Sequence, residues 1–342
     1  MGAAVAIDVI RRRATAEHLR AAERWAAAVD AVNGPLGLWA DRFREAGRLT
    51  LNFHPDRVGR HGLTVAAGLL NNGQWITGLS AGSRSAIAGG ERQRFESELF
   101  AGAYGGADPA TIDFPVYGSL DLVFDPHGGS PRFGSGFVVL HRHVLGRATL
   151  CVGDSHMGPR DVGTVEEPWS VLAGLAEQAA RDELLNRGLG VDVLRRACEG
   201  SFRSTQPSRD LDGYIEAQVH GGVSLETDVD SVVLDPSFGD TSVEEDLRAA
   251  AERYGFSLMW HPGSELHADN VPEDFRGPTM PALARRVARS DGVVDAHAIG
   301  MRAAKAGFAE PTSTGDAHDA ELQQLKYLWH TLLAHGHDAQ VT

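Results

Sequence analysis

Two short stretches of the sequence carry residue types that can do chemistry. The first is LNFHPDR at 51–57, where a histidine, an aspartate and an arginine directly follow an apolar run. The second is GYIEAQVHG at 213–221, where Glu216 stands in the middle of an alternating segment. A carboxylate on a polar strand face can hold a sugar hydroxyl or stabilise a developing cation.

The alternation in the second stretch sorts its side chains onto two faces of a strand. One face carries four groups that can form hydrogen bonds, and these are Tyr214, Glu216, Gln218 and His220. An ordinary solvent-exposed strand face is the alternative interpretation. A further candidate is GSRS at 82–85, because the backbone amides of a Gly/Ser loop can bind an anion and Arg84 adds positive charge.

Other chemical motifs are weaker. HRH at 141–143 and HGH at 335–337 lack the helical H-x-x-x-H spacing of a zinc site, and they are interpreted as a solvated strand end and a tail. GDSH at 153–156 lacks the G-x-S-x-G nucleophile elbow of serine hydrolases. Neither a metal site nor a serine nucleophile is therefore expected.

The elements that must position these residues fall into three parts along the chain. Residues 1–45 and 275–342 have apolar positions at helical spacing. Residues 46–274 hold the chemical motifs and most of the alternating segments that predict strands. We therefore expect a catalytic core at 46–274, with two helical ends that cover the core or select a partner.

Three short β-like runs lie in the middle of the chain, at 116–124, 132–142 and 147–154. Turn-forming residues separate them, so they predict a meander in which each strand pairs with the next. Strands joined in hairpins, and not alternating with helices, predict an α+β fold. No G-x-G-x-x-G follows a strand and no P-loop occurs.

Charge and hydropathy limit the classes of partner. The formal net charge is −14, and a nucleic-acid-binding protein needs a basic patch for the phosphates, so nucleic acid is not expected. No run of about 18 apolar residues occurs, so no membrane span is expected. The apolar N-terminal stretch precedes the basic residues at 11–13, which is the reverse of a secretory signal. We expect a protein made in the cytoplasm, and export by a route without a cleaved Sec signal stays open.

Six separated segments, taken in order, resemble a bacterial family known as domain of unknown function 3626. They are LNFHPDR (51–57), TGLSAGSRSA (77–86) leading into GERQRFESELF (90–100), YGSLDL (117–122), PRFGSGFVVL (131–140), GDSH (153–156) and YIEAQVHG (214–221). The family resembles divergent ADP-ribosyltransferases. It includes bacterial effectors that act in a host cell and transfer ADP-ribose from NAD⁺ to a threonine of ubiquitin.

The resemblance implies a fold, a co-substrate and a set of site residues. The fold would be an α+β, ADP-ribosyltransferase-like split β-sheet core with flanking helices. The co-substrate would be NAD⁺, with no metal. The implied catalytic residues are Glu216, His54 and Arg57. The implied NAD⁺-binding residues are His54, Arg57, Ser80, Ser83, Arg84, Tyr117, Arg132, Ser135 and Gln218.

Within that set, Arg84 and Arg132 are the candidates for the pyrophosphate, and Arg57 would reach a phosphate or orient Glu216. The chain departs from the best-known transferases because no E-x-E lies on the late strand. An E-x-E at 96–98 falls in a segment with a helical pattern, so it is interpreted as structural.

The missing second glutamate argues against an arginine acceptor more than against a hydroxyl acceptor. We therefore predict a mono-ADP-ribosyltransferase that modifies a protein hydroxyl, with a threonine of ubiquitin as the implied acceptor. An NAD⁺ glycohydrolase and a non-catalytic NAD- or protein-binding module are the alternatives.

Overall fold

Strands in the middle of the chain and helices at both ends form a mixed α/β structure with one large mixed sheet. The computed structural model describes residues 2–29, 35–59, 62–75, 91–104, 114–205, 209, 211–307 and 315–339. The strands are β1 (Arg48–Phe53), β2 (Val116–Asp121), β3 (Gly136–Leu140), β4 (Ala148–Val152), β5 (Val162–Thr164), β6 (Ile215–Val219), β7 (Val229–Leu234), β8 (Ser257–Trp260), β9 (Leu266–His267) and β10 (Val293–Val294). The helices are α1 (Gly2–Ala16), α2 (His18–Ala28), α3 (Leu36–Ala46), α4 (Val65–Asn72), α5 (Glu91–Leu99), α6 (Trp169–Ala179), α7 (Val191–Cys198), α8 (Leu225–Asp228), α9 (Ser242–Tyr254), α10 (Met280–Val287), α11 (Ala296–Gly307) and α12 (Gly315–His335).

The large sheet has eight strands in the order β5-β4-β6-β2-β1-β3-β7-β8. Its neighbouring strands are antiparallel, except that β7 and β8 run parallel. The expectation of an α+β fold with flanking helices is confirmed at this level. The eight strands form one continuous hydrogen-bonded sheet, so the finer expectation of a split sheet is not confirmed.

The predicted meander of three consecutive strands is wrong. β1 lies between β2 and β3, and β6 lies between β2 and β4. Each strand does end near its predicted turn residues. The segment between β2 and β3 is nevertheless long enough to cross β1, so β3 pairs on the far side of β1 and not with β2. Turn chemistry reports where a strand ends, whereas the partner of a strand depends on burial of its apolar face against distant segments.

The two faces of the sheet differ in polarity. One face packs on the main hydrophobic core with alternate residues from each central strand, including Leu49, Leu51, Leu120, Val138, Leu150, Ile215, Ala217, Val219 and Val232. Helices from both ends of the chain join the same core, with Trp25 of α2, Trp39 of α3 and Trp329 of α12 all buried there. The terminal helices therefore cover the strand-rich middle and share its core.

Two helices cover part of the opposite face. Ile10 of α1, Leu99 of α5, Phe100 and Tyr104 of the following turn, and Cys151 of β4 belong to a smaller apolar cluster there. Among the helices of the described residues, none is long and apolar enough to cross a membrane.

Candidate active site

The second face of the sheet is polar across four neighbouring strands. Strand register brings Glu216 opposite Ser119 and Cys151, and Gln218 opposite Tyr117 and Thr149. The row continues onto β1, where the Thr50 and Ser119 hydroxyls lie 2.9 Å apart. Most of these side chains are buried. Because burying polar groups costs free energy unless they are hydrogen-bonded, such a face is unusual in a sheet that only has to pack.

The four polar groups predicted on the late strand lie on this face. Tyr214, Glu216, Gln218 and His220 are all buried, with Glu216 only 5% exposed. The alternative interpretation of a solvent-exposed strand face is therefore wrong. The reason is the covering layer of α5 and the following turn, since Phe100 packs edge-on against the His220 ring at 5.2 Å.

A hydrogen-bonded chain of side chains runs along this face and ends at Glu216. Gln218 Nε2 lies 2.8 Å from Glu216 Oε1, and Thr149 Oγ1 lies 2.7 Å from Gln218 Oε1. His220 Nε2 lies 2.9 Å from Thr149 Oγ1, and its Nδ1 meets the Tyr104 hydroxyl. An ionised carboxylate only accepts hydrogen bonds, so Gln218 must donate to Glu216 and accept from Thr149.

The direction of these hydrogen bonds determines which ring nitrogen of His220 carries the proton. Thr149 donates to Gln218, so it accepts from His220 Nε2–H, and His220 Nδ1 accepts from Tyr104. Burial followed by the charge of Arg147 lowers the pKa of His220 to about 4, so the ring is neutral at neutral pH, as this direction requires. The row of hydrogen-bonded side chains thus orients the Glu216 carboxylate without placing a second charge beside it.

Glu216 is held from a second side by the turn after β4. The backbone N–H of Ser155 donates to Glu216 Oε2 at 3.2 Å. Burial raises the pKa of Glu216 above its ordinary value, and the hydrogen bonds from Ser155 and Gln218 offset that rise in part. A buried carboxylate with donors on both oxygens is preorganised to act on a charge that develops beside it.

Two buried hydroxyls beside Glu216 lack a partner in hydrogen-bond geometry among the described residues. Ser155 Oγ and Tyr214 Oη are both buried, and neither has a partner in hydrogen-bond geometry in the part of the chain that the structure describes. The Ser155 side chain is still close enough to Glu216 to lower the pKa of that carboxyl. Glu216 is also the largest charged contributor to the raised pKa of Tyr214, after burial itself. Buried polar atoms without partners call for an explanation, and a bound molecule with hydroxyl groups would supply it.

The other predicted stretch lies at the far end of β1. The strand ends at Phe53, and His54 packs edge-on against Trp329 of α12 at 5.5 Å. Burial, followed by the charges of Arg57 and His330, lowers the pKa of His54 to about 3, so His54 is a neutral hydrogen-bonding group. Ser135 is nearby, with its Oγ 3.5 Å from His54 Nδ1.

Arg57 and Arg132 stand at the same end. Arg57 is exposed, although neighbouring atoms remove enough water from its guanidinium to lower its pKa. Arg132 forms an ion pair with Asp212 and its guanidinium lies over the Phe133 ring at 5.1 Å. Arg132 Nε is buried and unpaired within the described residues.

His54 and Glu216 share the polar face but do not touch. They are two strands and four register positions apart, which corresponds to roughly 16 Å between backbones at about 4.8 Å per strand and 3.3 Å per residue. Gln218 and Ser155 hold the Glu216 carboxylate, and the expectation that Arg57 orients it stays a prediction. The charge of Arg132 affects the pKa of both Tyr214 and His330, so Arg132 is within electrostatic reach of both ends. An extended ligand could contact both ends.

The remaining predicted residues divide into two groups. Ser80, Ser83 and Arg84 lie outside the described residues. Tyr117 is half-buried, and its hydroxyl donates to Glu96 Oε1 of α5 at 2.8 Å. The E-x-E glutamates do lie on a helix, and the buried Glu96 ties that helix to the polar face.

Sequence reasoning missed several residues of this site. The hydrogen-bonded network around Glu216 also includes Thr149, Tyr104 and Ser155, and no local sequence motif marks Thr149 or Tyr104. Ser155 lies in GDSH, which was recognised only as part of a resemblance and as a weak hydrolase motif. Among the described residues, no three His, Cys, Asp or Glu side chains gather in a way that would hold a metal ion, and the expectation of a metal-free site stays a prediction.

Comparison with known proteins places the chain in a family. A stretch of 120 residues is 29% identical to the Gene 2 protein of Mycobacterium phage L5, and it covers 35% of this chain and 44% of the phage protein. The chain thus matches less than half of that relative. A family model described as "Protein of unknown function (DUF3626)" matches residues 48–335, which include both ends of the polar face. The chain therefore belongs to the DUF3626 family.

Proposed function

We propose that this protein is a mono-ADP-ribosyltransferase that moves ADP-ribose from NAD⁺ to a protein hydroxyl and releases nicotinamide. A threonine of ubiquitin is the acceptor that the family resemblance implies. The observation that carries the proposal is the buried carboxylate of Glu216, held by Gln218 and Ser155, beside two hydroxyls without a hydrogen-bond partner of normal geometry in the described part of the chain. The proposal includes an ADP-ribosyltransferase-like arrangement of the sheet around NAD⁺.

The chemistry needs one carboxylate near a sugar. As the bond between nicotinamide nitrogen and ribose carbon breaks, nicotinamide leaves with the bonding electrons and positive charge develops on the ribose. Glu216 would accept a hydrogen bond from a ribose hydroxyl and stabilise that charge. Tyr214 Oη and Ser155 Oγ would bond further sugar oxygens. The acceptor hydroxyl then forms the new bond to the ribose carbon and loses its proton.

The site fits a hydroxyl acceptor better than a charged one. Tyr214 and Gln218 occupy the positions on either side of Glu216 where a second carboxylate could stand, and Gln218 is committed to the hydrogen-bonded chain. A guanidinium acceptor would need a second negative charge to orient it. A neutral hydroxyl needs only proximity and a route for its proton.

The raised pKa of Glu216 predicts a pH dependence. A carboxylate that stabilises a cation must be ionised, so nicotinamide release should fall as the pH decreases through the raised pKa, at a higher pH than an exposed glutamate would give. Gln218→Met removes a donor that lowers this pKa, so the acid limb should move to still higher pH. Single-turnover rates across a pH series would measure the shift, and an unmoved limb would exclude Gln218 as a tuning residue.

The far end of the face is predicted to bind NAD⁺. His54→Ala or Arg57→Ala should raise KM for NAD⁺ or reduce turnover by at least about tenfold, which corresponds to about 1.4 kcal/mol. The reason differs between them, since Arg57 supplies charge whereas His54 supplies a neutral hydrogen-bonding ring against Trp329. Arg285→Ala on α10, an exposed arginine paired with Asp269, is the control. Unchanged kinetics in both site variants would remove this assignment.

One experiment separates the proposal from its alternatives. The purified protein is mixed with NAD⁺ labelled on the adenosine ribose, with and without ubiquitin. Label on ubiquitin supports transfer, and proteolysis with mass spectrometry then tests whether a threonine carries it. Free ADP-ribose alone indicates a glycohydrolase. NAD⁺ binding without turnover indicates a binding module.

A further inference from the structure

One face of α12 meets the His54 end of the polar face. Lys326, Trp329 and His330 are spaced i, i+3 and i+4, so they share that face. Trp329 anchors it, because its indole N–H donates to the Pro131 carbonyl at 3.0 Å and its ring packs on His54. Lys326 and His330, which flank Trp329, are therefore held near the turn that carries Arg132.

Positive charges gather at this face although the protein is strongly acidic. Arg57, Arg276 and Lys326 form no ion pair with a carboxylate in the described part of the chain. They are near enough to affect one another, because burial and then the charges of Arg132, Arg57 and Arg276 lower the pKa of Lys326, with a smaller opposite effect from Asp154. Gathering like charges costs free energy, and an anion bound among them would offset that cost.

His330 adds a second, independent observation. The residue is only 1% exposed, and neither ring nitrogen has a partner in hydrogen-bond geometry among the described residues. The backbone of Arg132 is close enough to raise the pKa of the ring, but it forms no bond of normal geometry with it. Burial and the neighbouring cations lower its pKa to about 3, so the ring is neutral and its remaining N–H is available as a donor. A neutral donor surrounded by cations suits an anionic oxygen.

The conformation and contacts of Arg276 also place its positive charge beside α12. Arg276 adopts a left-handed conformation with φ of 59°, which is costly for a residue with a side chain. Its guanidinium lies over the Tyr327 ring at 5.7 Å, which turns it toward α12.

We propose that Lys326, Arg276 and His330, together with Arg57, form a binding site for the diphosphate of a nucleotide, built by the C-terminal helix against the end of β1. The inference rests on the proposed function for the identity of the nucleotide, NAD⁺. It assigns to α12 a direct role in substrate binding, in addition to covering the core. Among the described residues, Arg57, Arg276 and Lys326 have no carboxylate ion-pair partner, and the two charges of a diphosphate balance these three cations better than a single charge would.

The two lysines of the chain, Lys305 and Lys326, make a direct test possible on the unmodified protein. Calorimetry first gives Kd for ADP-ribose, pyrophosphate and adenosine. Limited acetylation is then read by mass spectrometry, with the exposed Lys305 as internal reference. At about ten times Kd, ADP-ribose and pyrophosphate should each protect Lys326 roughly tenfold and leave Lys305 unchanged. Absence of binding, or equal protection by adenosine, would overturn the proposal.

Substitution gives a second readout. Lys326→Met retains a long, unbranched side chain but removes the charge. This variant should bind ADP-ribose at least about tenfold more weakly. Lys305→Met is the matched control and should change nothing. Equal affinity of the Lys326→Met variant and the parent protein would contradict the proposal.

The outcomes for this site and for the reaction are separable. If ADP-ribose binding depends on Lys326 but no nicotinamide is released, the diphosphate site stands and the transferase proposal fails. If nicotinamide is released at the parent rate and ADP-ribose binds equally well without Lys326, the transferase proposal stands and the diphosphate site fails.

Discussion

Glu216→Gln is expected to reduce nicotinamide release by about a hundredfold or more, as for other single preorganised electrostatic groups. The carboxylate would act mainly in the transition state, so the loss should appear in kcat more than in NAD⁺ affinity. Single-turnover nicotinamide release measures the first quantity and calorimetry with NAD⁺ measures the second. A variant that stops binding NAD⁺ would make Glu216 a ligand anchor and not the catalytic carboxylate.

The fold should survive this substitution. The amide that replaces the carboxylate has one accepting oxygen, so either Ser155 N–H or Gln218 Nε2 loses its acceptor, at a cost of about 1 kcal/mol. Removal of a buried charge compensates part of that cost, since burial raises the pKa of Glu216. Glu98→Gln changes an exposed glutamate of α5 and is the control. A Glu216→Gln variant that folds and still releases nicotinamide at the parent rate would refute the catalytic assignment.

The sequence was sufficient to predict which side chains of β6 share a face, because the alternation of side chains along a strand depends only on neighbouring residues. Alternation alone placed Glu216 with Tyr214 and Gln218, and the structure has all three on one face. The same local rule placed His54 at the end of β1. What alternation could not show is that this face is buried, since burial depends on α1 and α5 packing over it.

Strand partners and the role of the C-terminal helix were beyond local reasoning. The β1 strand inserts between β2 and β3, and this pairing depends on apolar faces that meet only in the folded chain. Lys326 and His330 sit in a helix whose pattern predicts a core-facing surface. Their signal in the sequence was a lysine, one of two in the chain, four residues before a histidine. The contact of α12 with the turn at 131–133 brings these two side chains to the proposed site, and the sequence does not predict that contact.

The turn that carries Arg132 depends on a glycine. A β-carbon added at Gly134 would lie 2.0 Å from the carbonyl carbon of Phe53, so the turn rests directly on the backbone of β1. The neighbouring Ser135 carbonyl is held by His261 Nε2 at 2.8 Å, and Pro131 is held by Trp329. Any side chain at 134 must therefore separate the turn from β1 against these anchors.

Gly134→Ala is accordingly expected to destabilise the protein by about 3 kcal/mol, the upper end of the usual range for overpacking, because backbone cannot rotate away as a side chain can. At about 2.1 cal/mol/K of unfolding entropy per residue, this lowers Tm by about 4 °C for a chain of this length. Gly146→Ala, where a β-carbon meets nothing within 4 Å, should change stability by less than about 0.5 kcal/mol. The Gly134 variant should also bind ADP-ribose more weakly, because Arg132 and Ser135 move away from His54. Equal melting of the two alanine variants would show that the turn does not rest on β1 as described.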